Sequence, residues 1–332
     1  MKRRSFIGCS AAAVVLLADK SKINQASAQT RYPDRPIRLV VPFAPGGETD
    51  LVGRLWAQHV APFLGQGVVI DNKSGAGGAI GSTEVARAKP DGYTLLAGTS
   101  GTHVVNPLVT RMPAYDPLSD FMPVSLVSIT PFTVCVHPSL NVQTIQQLVT
   151  LIKASPGKYS YASAGAGTMA HLAGEMFRMQ AGNIDLQHVP YKGAGLAIQD
   201  LIAGHIPIAM AVITSSLQSQ HRAGRLRVLM VCSDTRLVAM PEVPSANEAG
   251  IPDLKVGVFN GIFVPAGTGA TVIEILHRAT QRAFHEGKLR IELEKAGAQA
   301  QLQSTPPWAT AYLSAEIRRW TPVVRASGIR IE

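Results

Sequence analysis

The residues best placed to do chemistry in this chain are small ones on loops. Pro42-Phe43-Ala44-Pro45-Gly46-Gly47 follows an apolar β-type run, Ile37 to Val41, and a helical pattern starts at Thr49-Asp50. A strand, a glycine-bearing loop and a helix N-terminus make a site for an anion, because unpaired backbone N–H groups and the helix dipole point the same way. The same unit recurs as Ser163-Ala164-Gly165-Ala166-Gly167-Thr168, after a strand-like Tyr159 to Ala162 and before a helix with one apolar face. Two such loops suit a small dianion gripped at both ends.

Around them stand polar side chains with two readings each. Asp50 is a helix cap, which Asp does well, or a group facing bound water or a ligand ammonium. Lys192 is a solvated lysine or a cleft-edge cation for a carboxylate. Tyr191 is a packed ring or a ligand contact. Ser100 and Thr102 lie where a third strand, Tyr93 to Ala97, ends, and could offer hydroxyls. Glu48 puts a carboxylate inside the first loop; it reads as a solvated side chain, or as a selector for a ligand carrying a cationic group. The histidines, His103 and His171 among them, show no metal spacing such as HExxH and read as structural or exposed. No metal and no cofactor are expected.

Two enzyme classes come close. Gly75-Ala76-Gly77-Gly78-Ala79-Ile80-Gly81 follows a strand and opens a helix, as in a nicotinamide-dependent, Rossmann-like oxidoreductase. That fingerprint needs an acidic residue at the end of the next strand, where Leu96-Ala97-Gly98-Thr99 stands. Gly98-Thr99-Ser100-Gly101-Thr102 approaches a hydrolase nucleophile elbow but has Thr102 where its second glycine belongs. No acid–base pair accompanies either, so the chain reads as a binding protein and not an enzyme, with an exported oxidoreductase as the alternative.

Strands alternating with helices and short loops predict an α/β fold with an open parallel sheet, whose ligands sit at the carboxyl ends of the strands. The Pro-rich segment Pro113 to Pro123 with the β-type run Val124 to Val136, and later Met240 to Pro252, read as crossings between two lobes. The expected division is residues 29–127 plus 240–332 in lobe 1 and 128–239 in lobe 2. Helices are expected at about 271–286, 289–296 and 307–326 in the C-terminal region.

Of 332 residues, 46% are hydrophobic and 16% charged, which suits a globular chain with a sizeable core. Residues 1–28 carry Lys2, Arg3, Arg4, Lys20 and Lys22 against Asp19, leaving +5 of the formal +9 for the remainder. No basic tract interleaved with aromatics appears, which points to small anions and away from nucleic acid. Lys2-Arg3-Arg4, the apolar run Phe6 to Ala18 and the small-x-small triplet Ala26-Ser27-Ala28 read as an export signal over residues 1–28. Arg3-Arg4-Ser5-Phe6-Ile7 also has the twin-arginine form, so either that route or the general secretory route would deliver the chain to the periplasm. Cys135 and Cys232 then remain; they are expected as two buried thiols, although an oxidising compartment would permit a pair.

Taken in order, the motifs resemble the Bug family, the periplasmic solute receptors of tripartite tricarboxylate transporters. The resemblance runs through Tyr32-Pro33, Pro36-Ile37, Pro42 to Gly47 with Asp50, Asn72-Lys73 with Gly75 to Gly78, Pro90 to Leu95 and Asp120-Phe121. It continues through Ser163 to Gly165, Gly167-Thr168, His171-Leu172, Val189 to Gly193, Pro241 to Pro244 and Glu316 to Gly328. It implies a two-lobed, Venus-flytrap fold of the type II periplasmic-binding-protein kind. It further implies a small organic acid ligand (a dicarboxylate, acidic amino acid or aromatic acid), a membrane permease as partner, and a monomer. In that family the first loop holds one carboxylate, which maps here to Phe43, Ala44, Pro45, Gly46, Gly47, Thr49 and Asp50. The second lobe holds the other end, mapping to Ser163, Ala164, Gly165, Gly167 and Thr168, with Tyr191 and Lys192 nearby. The chain departs from the family at Glu48, at Leu196 and in the apolar segment Ile206 to Ile213. Apolar Val212 and Ile213 tilt the expected ligand toward an acid with an apolar or aromatic body.

Overall fold

The computed structural model describes residues 32–329, so the expected export signal lies outside the described residues. The chain opens with strand β1 (Ile37–Val41), helix α1 (Glu48–Leu64), strand β2 (Val68–Asn72), helix α2 (Ala79–Ala86) and strand β3 (Thr94–Thr99), followed by the short α3 (Asn106–Val109). A 16-residue strand, β4 (Phe121–Val136), leads to a second series: α4 (Ile145–Lys153), β5 (Ser160–Ser163), α5 (Met169–Gln180), β6 (Gln187–Pro190), α6 (Ala194–Ala203), β7 (Ile208–Val212), α7 (Ser215–Arg222) and β8 (Arg227–Val231). The chain returns through β9 (Gly257–Pro265) and closes with α8 (Ala270–His285), α9 (Leu289–Ala296), the two-residue β10 (Gln299–Ala300) and α10 (Pro306–Ser327).

The sheet is mixed, not purely parallel. β1 lies parallel between β2 and β3, and β5 lies parallel between β6 and β7. Antiparallel strands join these two parallel blocks: β9 pairs with β3 and with the first part of β4, while the rest of β4 pairs with β7 and β8. The expectation of an all-parallel sheet therefore needs this correction. Local pattern set the βα units correctly, but the strands that leave and re-enter each block run the other way.

β4 changes partner at one place. Pro131 pairs with Gly257 on β9, and the next residue, Phe132, pairs with Val212 on β7. Proline has no N–H to give a ladder, so it fits where one set of hydrogen bonds stops and another starts. The return is equally tight, since Val256 carbonyl accepts from Phe132 N–H and Val256 N–H donates to Cys232 carbonyl. The segment from Met240 to Val256 stays with the second block: Ala246 N–H reaches Ser233 carbonyl, and Gln146 Nε2 on α4 reaches Ala249 carbonyl at 2.5 Å.

One face of the first block buries Ile37, Leu39 and Val41 against Val52, Trp56 and Val60 of α1 and Leu276, Ala279 and Ala283 of α8. Trp56 is fully buried and its Nε1 donates to Thr280 Oγ1 at 3.0 Å, so the ring loses no hydrogen bond on burial. A second core spans both blocks. It takes Val40 and Leu96 from the first, Tyr161 and Phe177 from the second, and Trp320 and Val324 from α10. Cys135 and Cys232 are free, buried thiols, and burial pushes Cys135 up to about 12. Among the described residues no helix is long and apolar enough to cross a membrane.

Candidate ligand-binding loops

The first loop is held by Asp50, which lies in the opening turn of α1 and is 3% exposed. Its Oδ2 accepts from Gly46 N–H at 2.9 Å and from Arg54 Nε at 2.9 Å. Its Oδ1 accepts from Asn72 Nδ2 at 3.0 Å, and the same amide nitrogen donates to Phe43 carbonyl at 3.0 Å. Burial works to raise the Asp50 pKa, but the bonds from Arg54, Gly46 and Asn72 outweigh it and hold the carboxyl below its ordinary range. Asp50 is thus the brace of the loop, and Asn72 at the end of β2 is its partner from the neighbouring strand. Gly46 turns the chain at φ 85, a conformation that favours glycine. The brace leaves Ala44, Pro45, Gly46 and Gly47 exposed, with Phe43 half-buried and Thr49 buried.

The second loop is held without a formal charge. Thr168 caps α5: its Oγ1 accepts from His171 N–H at 3.3 Å and donates to Gly165 carbonyl at 2.7 Å. Ser163 is buried; its Oγ accepts from Gly165 N–H at 3.1 Å and lies 2.6 Å from His188 Nε2. Gly167 N–H donates to His171 Nδ1 at 3.2 Å, so that nitrogen carries no proton. The His171 and His188 rings stack at 3.6 Å with 11° between planes. Burial, then the neighbouring His171, pulls His188 down to about 4, and burial also lowers His171. Gly165 has φ 144, and a Cβ there would stand 3.1 Å from Tyr191 carbonyl. Only glycine gives this close approach of two backbones without strain.

Tyr191 is half-buried and its hydroxyl donates to Asp200 Oδ2 at 2.8 Å, while Lys192 is exposed and makes no ion pair among the described residues. The predicted residues therefore fall into two clusters, one on each block, and no hydrogen bond joins the clusters among the described residues. Ala164, Gly165 and Thr168 are half-buried and Gly167 is buried.

Three expectations change. Ser100 is fully buried: its Oγ accepts from Phe259 N–H at 2.9 Å and donates to Gly257 carbonyl at 3.3 Å. Thr102 is fully buried too, its Oγ1 accepting from Thr99 N–H at 2.9 Å beside His103 Nδ1. Both hydroxyls tie local backbone and do not face solvent, because the end of β3 is covered by β9 and by the loop 76–78. Glu48 is not a solvated side chain. Its Oε1 accepts from Thr130 Oγ1 at 2.6 Å on β4 and from Asn260 Nδ2 at 2.7 Å on β9. Burial pushes the Glu48 pKa up, and the bonds from Thr130, Asn260 and Thr49 offset part of that rise.

The glycines of residues 75–78 have a packing explanation. A Cβ at Gly78 would stand 2.6 Å from Thr102 Cγ2 and 3.2 Å from the Phe43 ring, so this loop props the first one from behind. His103 is fully buried against Phe263, and burial lowers it to about 3. No cluster of His, Cys, Asp and Glu among the described residues could hold a metal ion.

Residues 52–329 match the model of the "Tripartite tricarboxylate transporter family receptor". The chain is 35% identical over 303 residues to Protein BugT of Bordetella pertussis, covering 91% of this chain and 92% of that one. Among solved structures, periplasmic binding protein BugD is 33% identical with a TM-score of 0.76, covering 91% of this chain and 100% of that one. Rpa4515 of R. palustris, solved with adipate, is 32% identical with a TM-score of 0.79, covering 90% and 99%. MatC of Rhodopseudomonas palustris, with bound malate, is 32% identical with a TM-score of 0.75, covering 88% and 100%. With this fold, these two loops and near-complete coverage, the chain belongs to the Bug-type tripartite tricarboxylate transporter receptor family, whose members are periplasmic solute-binding receptors and not enzymes.

Proposed function

We propose that the protein is a periplasmic receptor that closes two lobes on a small organic acid and presents it to a membrane permease. The observation that carries this is the pair of loops, 43–50 with residues 44–47 exposed and 163–168 with Ala166 exposed, each ending a parallel strand and opening a helix on its own block. First N–H groups of a helix have no intrahelical acceptor, so the backbone of each loop offers donors and a partial positive charge to the cleft. Binding of adipate by one relative and malate by another supports a carboxylate as that ligand.

In this reading the lobes divide at Pro131/Phe132 and at Val256/Gly257, where the strands change block. That places 240–256 with the second lobe, beyond the boundary expected at 239. Few strands cross between the blocks, so a small rotation there would close the loops on the ligand. Phe43 to Gly47 and Thr49 line one side, Ala164, Gly165, Gly167 and Thr168 the other, and Lys192 lies at the rim. Asp50, Ser163 and Tyr191 shape the loops from behind. Delivery to the periplasm through residues 1–28 and action as a monomer complete the proposal.

A panel of mono-, di- and tricarboxylates and amino acids, read by thermal shift and calorimetry, tests it, since a ligand that binds only the folded state raises its stability by mass action. A binding acid is expected, and Gly47→Val should weaken it while leaving the free protein folded, because a Cβ there meets only Ala44 carbonyl at 3.7 Å. Absence of any shift or heat from ligand-free protein across the whole panel overturns the assignment.

A further inference from the structure

Given the receptor reading above, we propose that Glu48 makes the first loop a site for the ammonium end of an amino carboxylate, with the ligand carboxylate held by the second loop. The N-terminus of α1 would ordinarily attract an anion, but Glu48 is the first residue of that helix and already places a carboxylate there. No lysine or arginine pairs with it among the described residues, and Arg54, the guanidinium of this loop, is engaged by Asp50 and Asn72. A ligand carboxylate arriving at this end would meet a like charge in a half-buried setting, which disfavours both ionised forms.

The groups around Glu48 are short of donors. Oε1 takes the two good bonds, from Thr130 and Asn260, and Oε2 has only Thr49 Oγ1 at 3.5 Å. Asn260 is 2% exposed, and with its Nδ2 turned to Glu48 its own Oδ1 is buried with no hydrogen-bond partner among the described residues. Turning the amide over would set Oδ1 against the Glu48 carboxylate, so the observed orientation is the one that suits an ionised acid. Two under-used acceptor oxygens, Glu48 Oε2 and Asn260 Oδ1, therefore belong to one hydrogen-bonded pair of side chains that links α1 to β9. An ammonium group brings three donors and no acceptor, and it neutralises the carboxylate that burial penalises. The second loop has the opposite character: residues 163–168 hold no acid, α5 presents its N-terminus, and Lys192 follows Tyr191 in the adjoining loop.

Matched pairs of probes read this directly by calorimetry: adipate against 6-aminohexanoate, and malate against aspartate. The wild-type protein is expected to bind at least one amino member about tenfold or more tightly than its partner acid, and Glu48→Gln to remove that preference. Glu48→Ser, smaller and also neutral, provides the same readout should the glutamine variant not fold. A wild-type preference for the dicarboxylates, or a ratio unchanged in the neutral variants, overturns the role of Glu48 and leaves the receptor reading standing. No binding by any carboxylate or amino acid overturns the receptor reading, and this role with it.

Discussion

The two loops share one plan and differ in what fixes them. The first is locked by an ionised group: Asp50 gathers Gly46, Arg54 and Asn72 from loop, helix and neighbouring strand. The second is locked by neutral groups, with Thr168, Ser163 and two stacked imidazoles. Charge-assisted bonds to a buried carboxylate are stronger than neutral ones, so the first loop is the stiffer and the second the more readily adjusted. The first loop also carries an acid, Glu48, and the second carries none. The two sides of the same proposed cleft thus differ in what braces them and in whether an acid is present.

The sharpest way to break that comparison is Asp50→Ala. It removes one buried acceptor that serves three donors, and we expect a loss of about 3 kcal/mol in urea unfolding, since a hydrogen bond to a charged group contributes about 1.5–3 kcal/mol and the half-exposed Arg54 adds little. A loss under about 1 kcal/mol means that Asp50 is not the brace. In the second loop, Gly165→Ala puts a Cβ at φ 144 and 3.1 Å from Tyr191 carbonyl, for an expected loss of about 2 kcal/mol. If this variant is as stable as wild type, the two backbones are not in close contact.

Acidity separates the loops without mutation. His188 and His171 have pKa values lowered by folding, so the unfolded chain binds more protons as pH falls below about 6.5. Stability is full above that value and declines as pH falls toward about 4, by about 1–2 kcal/mol after allowing for partial solvent screening. Asp50 is also lowered, but as a carboxyl it contributes above its unfolded value of 3.8 and fails only below it. Hydrogen exchange, corrected for the intrinsic rate at each pH, should therefore show the bonded amides of Gly165, Gly167 and His171 loosening between pH 6.5 and 4 while those of Gly46 and Leu51 keep their protection. Simultaneous loosening of both would remove the distinction. The smallest effect is Thr168→Ala, which deletes one cap and should cost about 1 kcal/mol. Thr168→Ser should restore most of it, because the hydroxyl is what caps.

Much of this organisation is visible in the chain itself. The run Ile37–Val41, the helix start at Thr168 and the helices expected near 271–286, 289–296 and 307–326 follow from local periodicity, and the structure shows them within a residue or two. Asp50 at the start of α1 was legible as a cap, yet its side chain takes Gly46 N–H from before the helix and Asn72 from β2. Asn72 could have been suspected from its place at the end of a strand beside the first loop. Ser100 and Thr102 misled because a hydroxyl after a strand looks the same whether it meets solvent or another strand. β9, 159 residues further on, covers Ser100.

The sequence by itself determined the two strand–loop–helix units, because backbone donors, glycine geometry and helix caps are properties of neighbours a few residues apart. Only the tertiary structure decided what the polar side chains of each loop meet. Glu48 meets Thr130 and Asn260, 82 and 212 residues away, and those partners turn an apparent solvent-facing carboxylate into a fixed, half-buried one. The antiparallel joining strands and the partner change at Pro131 were likewise decided by pairing between distant segments. Periodicity along a chain reports which face of an element is apolar, and it is silent about which distant element will cover that face.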